Sequence, residues 1–182
     1  MGSYNKTLHD LGLKARSDAN PVLTGLSVDS RDVVDGTLFA ALPGTRVHGG
    51  EFIQYALRQG AGAILTDAIG AEIAKDIIGD VPLVVTQDPR QALAYASALW
   101  FGAQPGTMIA VTGTNGKTSV STFARMIWTE LELAAINLGT TGVEGAFTAP
   151  LMHTTPEPIT LHRTLAEAQK AGITHAAMEA SS

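Results

Sequence analysis

Met108-Ile-Ala-Val-Thr-Gly-Thr-Asn-Gly-Lys-Thr-Ser119 is the stretch from which the rest of this chain is read. A short apolar run ends in a turn bearing two glycines, and Lys-Thr-Ser then opens a helical pattern. Backbone N–H groups in such a turn, together with the positive end of the helix dipole, suit a polyphosphate. Lys117 adds a full positive charge, and Thr118 offers a hydroxyl to a magnesium ion. The usual phosphate loop, G-x-x-x-x-G-K-[ST], would need glycine at position 111. Val111 stands there instead, and the first glycine is Gly113. Gly113, Thr114, Asn115, Gly116, Lys117, Thr118 and Ser119 therefore read as a phosphate loop of a narrower kind, with Lys117 as its catalytic candidate. The competing reading is a plain strand-to-helix turn. Glycine at both 113 and 116, with Lys-Thr at a helix start, argues against it. A P-loop kinase or GTPase is disfavoured, because Val111 breaks the motif and no N-K-x-D occurs.

Composition narrows the class. Hydrophobic residues make up 45% of the 182 and charged residues only 16%, which excludes disorder. The net charge is −5 and no Lys/Arg cluster occurs, so nucleic acid is not an expected partner. Without cysteine there are no disulfides and no thiolate metal sites. No stretch approaches the roughly 20 apolar residues that cross a bilayer, and the N-terminus lacks a signal-peptide core. A soluble cytoplasmic protein with no membrane contact is the default expectation. Nineteen glycines and few aromatics suit an α/β protein with many tight turns.

Residues 25–30 and 37–42 read as strands flanking the turn Arg31–Gly36. Ile53, Ala56 and Leu57 recur at helical spacing, with Gly60 as a C-terminal cap. Ala63–Thr66 and Pro82–Thr86 are strand candidates, and Ile69, Ile73 and Ile77 make a helix face between them. Asp88-Pro89 starts a helix through Leu93, Ala96 and Leu99. After the phosphate loop, Val120, Phe123, Ala124, Ile127 and Leu131 predict one buried face of a helix packed on a sheet. A further helix runs from about Thr160 to Ala171, and Thr174–Ala180 reads as a strand. The boundary falls near Gln87/Asp88, giving domains 1–87 and 88–182. The chain stops directly after a strand, whereas a doubly wound sheet needs helices on both faces. A fragment with its second domain cut is the expectation.

Outside the loop the residues leave alternatives open. Ser30 lies at a strand mouth, and Arg46 could pair bidentately with a phosphate, but from spacing alone a solvated loop around an Asp-Ser-Arg turn is the favoured reading. Thr154 and Thr155 sit in a polar loop before Pro156, which also suits an ordinary approach to a helix. Glu179 ends an apolar strand. A carboxylate at that end of a parallel sheet faces a ligand crevice, and magnesium accepts it alongside phosphate oxygens and water. An exposed strand-end Glu is the equal alternative. His9, His48, His162 and His175 show no metal spacing and read as surface or packing residues, as Asp29 and Asp67 read as turn and cap.

Thr112-Gly-Thr-Asn-Gly-Lys-Thr-Ser119 resembles the ATP loop of the Mur ligase superfamily, cytoplasmic ATP-dependent amide ligases of peptidoglycan assembly. Val28-Asp-Ser-Arg31 with Gly36–Gly44, His153-Thr-Thr-Pro-Glu157 and Met178-Glu-Ala-Ser-Ser182 resemble its MurE type. That type adds the third residue to UDP-N-acetylmuramoyl-L-alanyl-D-glutamate. The motifs run in order over essentially the whole chain. The resemblance implies a small N-terminal α/β substrate-binding domain, then the truncated start of a P-loop-type, mostly parallel-sheet ATPase domain. It implies ATP and Mg2+ as cofactors, with Thr118 and Glu179 on the metal. It puts uridine diphosphate at Val28, Ser30, Thr45, Arg46 and Val47, and the muramoyl dipeptide at Thr154, Thr155 and Ser181. His153 stands where some relatives carry Asn. The second substrate is diaminopimelate or lysine, chosen by a domain outside these residues, as is a carbamylated lysine near the metal. A monomer, inactive as this piece alone, is expected. Folylpolyglutamate and cyanophycin-type ligases are disfavoured by the Asp-Ser-Arg and Thr-Thr-Pro-Glu segments. A nucleotide-sugar binding module without chemistry is the alternative from another class.

Overall fold

The computed structural model describes residues 5–181, so Ser182, the last residue of the Met178–Ser182 motif, lies outside the described residues. The chain divides into two compact units, residues 1–100 and 101–182. Both are α/β, as expected, and the main sheet of each is mostly or wholly parallel.

In the first unit β1 (Lys6–Thr7) pairs antiparallel with β2 (Val22–Leu23). The main sheet carries β3 (Gly25–Ser27), β4 (Thr37–Ala40), β5 (Ala63–Thr66) and β6 (Leu83–Val85) in that order, all parallel. Parallel neighbours need crossovers. Helix α1 (Ile53–Arg58) joins β4 to β5, and α2 (Ala68–Ala74) joins β5 to β6. Both inner strands are buried at every position, as expected of parallel strands covered on two faces. Phe39, Ile53, Ala56, Ile64 and Ala74 form the core with Val33.

The strand predicted over 25–30 ends at Ser27. Asp29 turns the chain out of the sheet: its Oδ1 accepts from Arg31 N at 2.9 Å and caps a 3-10 turn at Ser30–Asp32. The strand predicted over 37–42 ends at Ala40. Helix α2 presents a different face from the one its periodicity predicts. Gly70, Ala71 and Ala74 are buried, while Ile69 is 63% exposed. A Cβ at Gly70 would overlap Thr66 Oγ1, so the helix lies too close to the sheet for a large side chain on that side.

Helix α3 (Pro89–Phe101) starts where predicted, with Asp88 Oδ1 accepting from Gln91 N at 2.9 Å. Leu93, Ala96 and Trp100 are buried, and Leu99 is half exposed. The units divide after Trp100 and not at Gln87/Asp88, because α3 is tied to earlier residues. Lys6 Nζ donates to Leu99 O, and Arg90 Nη2 donates to Pro43 O.

In the second unit β7 (Thr107–Val111), α4 (Lys117–Glu130), β8 (Ala135–Gly139), β9 (Gly142–Gly145), α5 (Pro158–Lys170) and β10 (His175–Glu179) follow in sequence. The sheet order is β7-β10-β8-β9, with only β9 antiparallel. Helix α5 begins ahead of Thr160, because the Glu157 carboxylate accepts from Ile159 N and Thr160 N, each at 2.7 Å. Ile136, Leu138, Val143, Leu165, Ile173 and Ala176 make the core with Ala168.

Helix α4 overturns one expectation. Val120, Phe123, Ile127 and Leu131 are exposed, Phe123 and Ile127 each by 60%. The helix meets β8 and β10 through a narrower, more polar side. Ser121 is its buried residue, and Arg125 Nε donates to buried Asn137 Oδ1 at 2.6 Å. Periodicity identifies an amphipathic helix but not the neighbour its apolar stripe requires. In urea denaturation Ile127→Ser should shift stability by no more than about 0.5 kcal/mol. Leu138→Ala should cost about 2–5 kcal/mol. Equal losses would contradict this packing.

Candidate functional site

The phosphate-loop candidates stand at the C-terminal ends of parallel strands, where α/β sheets bind ligands. β7 pairs with β10 so that Val111 lies opposite Glu179, and Ala180 N donates to Val111 O at 2.9 Å. The chain then turns through Gly113 (φ +135°) and Gly116 (φ +81°), a region L side chains rarely adopt. Gly116 is the N-cap of α4, and no side chain caps that helix. Its first-turn N–H groups thus remain available to an acceptor. Lys117 Nζ donates to Gly113 O at 2.6 Å, which sets the ammonium across the loop. Thr114, Asn115, Thr118 and Ser119 are exposed around it.

Glu179 organises what lies beside the loop. Its residue is 2% exposed, so the strand-end surface reading is excluded. Oε2 accepts from Thr118 Oγ1 at 3.0 Å, and Oε1 accepts from Thr140 N at 3.1 Å. Thr155 Oγ1 donates to Glu179 O at 3.0 Å and accepts from Ser181 N at 2.9 Å. Thr140 and Thr154 share a hydroxyl–hydroxyl hydrogen bond of 3.2 Å. One network therefore gathers Thr118, Glu179, Thr154, Thr155 and Ser181, while His153 is exposed. Gly139 and Thr140 belong to the network but have no place in the sequence reading. For Gly139 the signal is a glycine directly after the strand residues Ala135–Leu138, with no room for a Cβ, which would overlap Glu179 Oε1.

Buried carboxylates are hydrogen-bonded, paired with a cation or bound to a metal. No described lysine or arginine forms an ion pair with Glu179. Its side chain is met by the Thr118 hydroxyl and the Thr140 N–H, and the Glu179 and Thr118 oxygens are hard donors that fit Mg2+, whose remaining ligands are phosphate oxygens and water. Among the described residues no group of three His, Cys, Asp or Glu could form an all-protein metal cage.

In the first unit Val28 and Ser30 line a cavity of about 500 Å3 with Arg31, Phe39, Phe52 and Tyr55. Asp29 grips the Arg31 guanidinium and its backbone N–H, which lowers the Asp29 carboxyl to about 2. Thr45, Arg46 and Val47 are exposed on a separate loop and do not line that cavity. A larger cavity, about 650 Å3 between residues 11–14, β6 and α3, contains none of the predicted site residues.

The architecture is that of an α/β protein with a phosphate-loop turn at the C-terminal edge of a parallel sheet. Residues 22–100 match the family described as Mur ligase family, catalytic domain, and residues 111–182 match the Mur ligase middle domain. The chain belongs to the Mur ligase family. It is 44% identical over 178 residues to the UDP-N-acetylmuramoyl-L-alanyl-D-glutamate–2,6-diaminopimelate ligase of Mesorhizobium japonicum, covering 94% of this chain and 35% of the relative. The Brucella melitensis ligase of the same name is 48% identical, over 88% of this chain and 32% of its own length. A solved ligase of that name superposes with a TM-score of 0.73 at 27% identity, over 97% of this chain and 36% of that one. The chain thus spans about a third of the length of the curated relatives it matches.

Two measurements check the geometry. Gly139→Ala should destabilise by about 1–3 kcal/mol, since the Glu179 carboxylate must move; a neutral effect in thermal unfolding would contradict the contact. Asp29 has a folded pKa of about 2, below the ordinary carboxyl value. Its contribution to stability is therefore present above about pH 4 and lost as pH falls through 2. A carboxyl-carbon NMR titration of Asp29 should show a midpoint near 2.

Proposed function

We propose that this chain is the nucleotide- and substrate-binding part of an ATP-dependent amide ligase of peptidoglycan precursor synthesis. The observation that carries the reading is the buried Glu179 carboxylate, hydrogen-bonded to Thr118 beside Lys117 and linked through Thr155 to Ser181. In this reading the first unit, residues 1–100, holds the uridine diphosphate end of UDP-N-acetylmuramoyl-L-alanyl-D-glutamate, through Val28, Ser30, Thr45, Arg46 and Val47. The second unit, residues 101–182, holds ATP and the dipeptide end, the latter through Thr154, Thr155 and Ser181. The relatives' names favour 2,6-diaminopimelate over lysine as the incoming amino acid.

A substrate carboxylate oxygen attacks the γ-phosphorus of ATP, ADP leaves, and an acyl phosphate results. The amine of the amino acid then attacks the acyl carbon, and inorganic phosphate departs as the amide forms. Catalysis of this kind is chiefly positioning and charge compensation. The loop N–H groups from Gly113 to Ser119 bind the phosphates, and Lys117 offsets the charge that develops on the β- and γ-oxygens. Thr118 and Glu179 would hold Mg2+, which supplies further charge neutralisation when bound. The reading places the protein in the cytoplasm as a monomer. Among the described residues no helix is long and apolar enough to cross a membrane.

Calorimetry on this chain should detect both UDP and ATP–magnesium. Binding of UDP alone would mark a nucleotide-sugar module instead. In the full-length protein Lys117→Ala should lower acyl-phosphate formation by about a hundredfold or more. A normal ligation rate in that variant would refute the role of Lys117.

A further inference from the structure

We infer that His48 is a positioning residue whose imidazole latches the 43–47 loop to the start of α2 and so presents Thr45, Arg46 and Val47 to the uridine diphosphate. The inference rests on the function proposed above for those three residues.

The latch is built from contacts on both ring nitrogens. The His48 and Asp67 side chains are only 15% and 17% exposed. His48 Nδ1 accepts from Gly50 N at 2.9 Å, so the neutral ring carries its proton on Nε2. Nε2 lies 3.1 Å from Asp67 Oδ1, off the line of an aligned hydrogen bond. Asp67 Oδ1 also accepts from Gly70 N at 2.8 Å and caps α2. Burial alone would raise the Asp67 carboxyl. The Gly70 N–H and His48 outweigh it and hold the group below its ordinary value.

The ring sits in a slot made by glycines. A Cβ at Gly50 would lie 2.9 Å from His48 Nδ1, and a Cβ at Gly70 would lie 2.9 Å from His48 Cε1. The base of the loop is closed where Gly49 N donates to Leu42 O at 2.8 Å. A Cβ at Gly49 would lie 2.6 Å from Leu42 N, so that closure too tolerates no side chain. Beyond this base Thr45, Arg46 and Val47 are exposed. Their placement is therefore set at the loop's two ends, by His48 where it enters the body of the unit and by Arg90 Nη2, which donates to Pro43 O.

Two variants separate the latch from general stability. His48→Phe fills the slot without polar contacts, and Asp67→Ser keeps a helix cap but removes the carboxylate. Amide hydrogen exchange over residues 44–47 is read in the ligand-free chain, and UDP and ATP–magnesium affinities by calorimetry. Each variant should speed loop exchange and weaken UDP by about tenfold, with ATP affinity unchanged. His48→Asn, which keeps an acceptor for Gly50 N–H, should recover part of the loss. Wild-type loop exchange and UDP affinity in both variants would overturn the latch, as would equal losses for UDP and ATP. Should His48→Phe not fold, Asp67→Ser decides alone. Failure of the wild-type chain to bind UDP would instead overturn the proposed function, and loop exchange would still decide the latch.

Discussion

A carboxylate taken out of water at the end of β10 sets the terms for the second unit. Glu179 is covered on all sides, and its oxygens are met by a hydroxyl from α4 and an N–H from the β8–β9 turn. Both contacts require β10 to lie between β7 and β8. That order brings residues far apart in sequence to one edge of the sheet. It also explains why the turn after β8 begins with glycine: the carboxylate occupies the space a side chain would need. Strand order and a glycine thus meet at one buried carboxylate.

The first unit reaches its form by different means. Its main sheet is short and wholly parallel, and turn chemistry ends β3 and β5. Asp29 ends β3 by binding its neighbour's N–H and guanidinium, which leaves Ser30 on a tight turn beside a cavity. Asp67 and Asp88 start helices in the same way. Polar side chains at strand and helix ends fix the loops here, and apolar packing fills the space between.

Features encoded locally could be read from the sequence. The loop at 113–119, the cap at Asp88 and the strand at Ala63–Thr66 each depend on adjacent residues, and each stands where expected. The burial of Glu179 could not be read this way, because it needs β7, β8 and β10 assembled together. For the same reason the sequence carries no local signal for Thr140. The buried sides of α2 and α4 differ from those their periodicity predicts, because hydrophobic spacing gives a helix's stripe without its rotation toward the sheet. In α2 a glycine and two alanines permit a close approach that the isoleucines would prevent. In α4 a serine and an arginine–asparagine contact face the strands.

The bare stripe along α4 bears on how these residues behave in a test tube. Phe123, Met126, Ile127 and Leu131 offer a contiguous greasy ridge with only Glu130 to interrupt it. Patches of this kind promote self-adhesion at high concentration even when the fold itself is sound. Colloidal behaviour and thermodynamic stability are thus governed by opposite sides of one helix. A polar exchange on the ridge improves the first without disturbing Ser121 or Thr118.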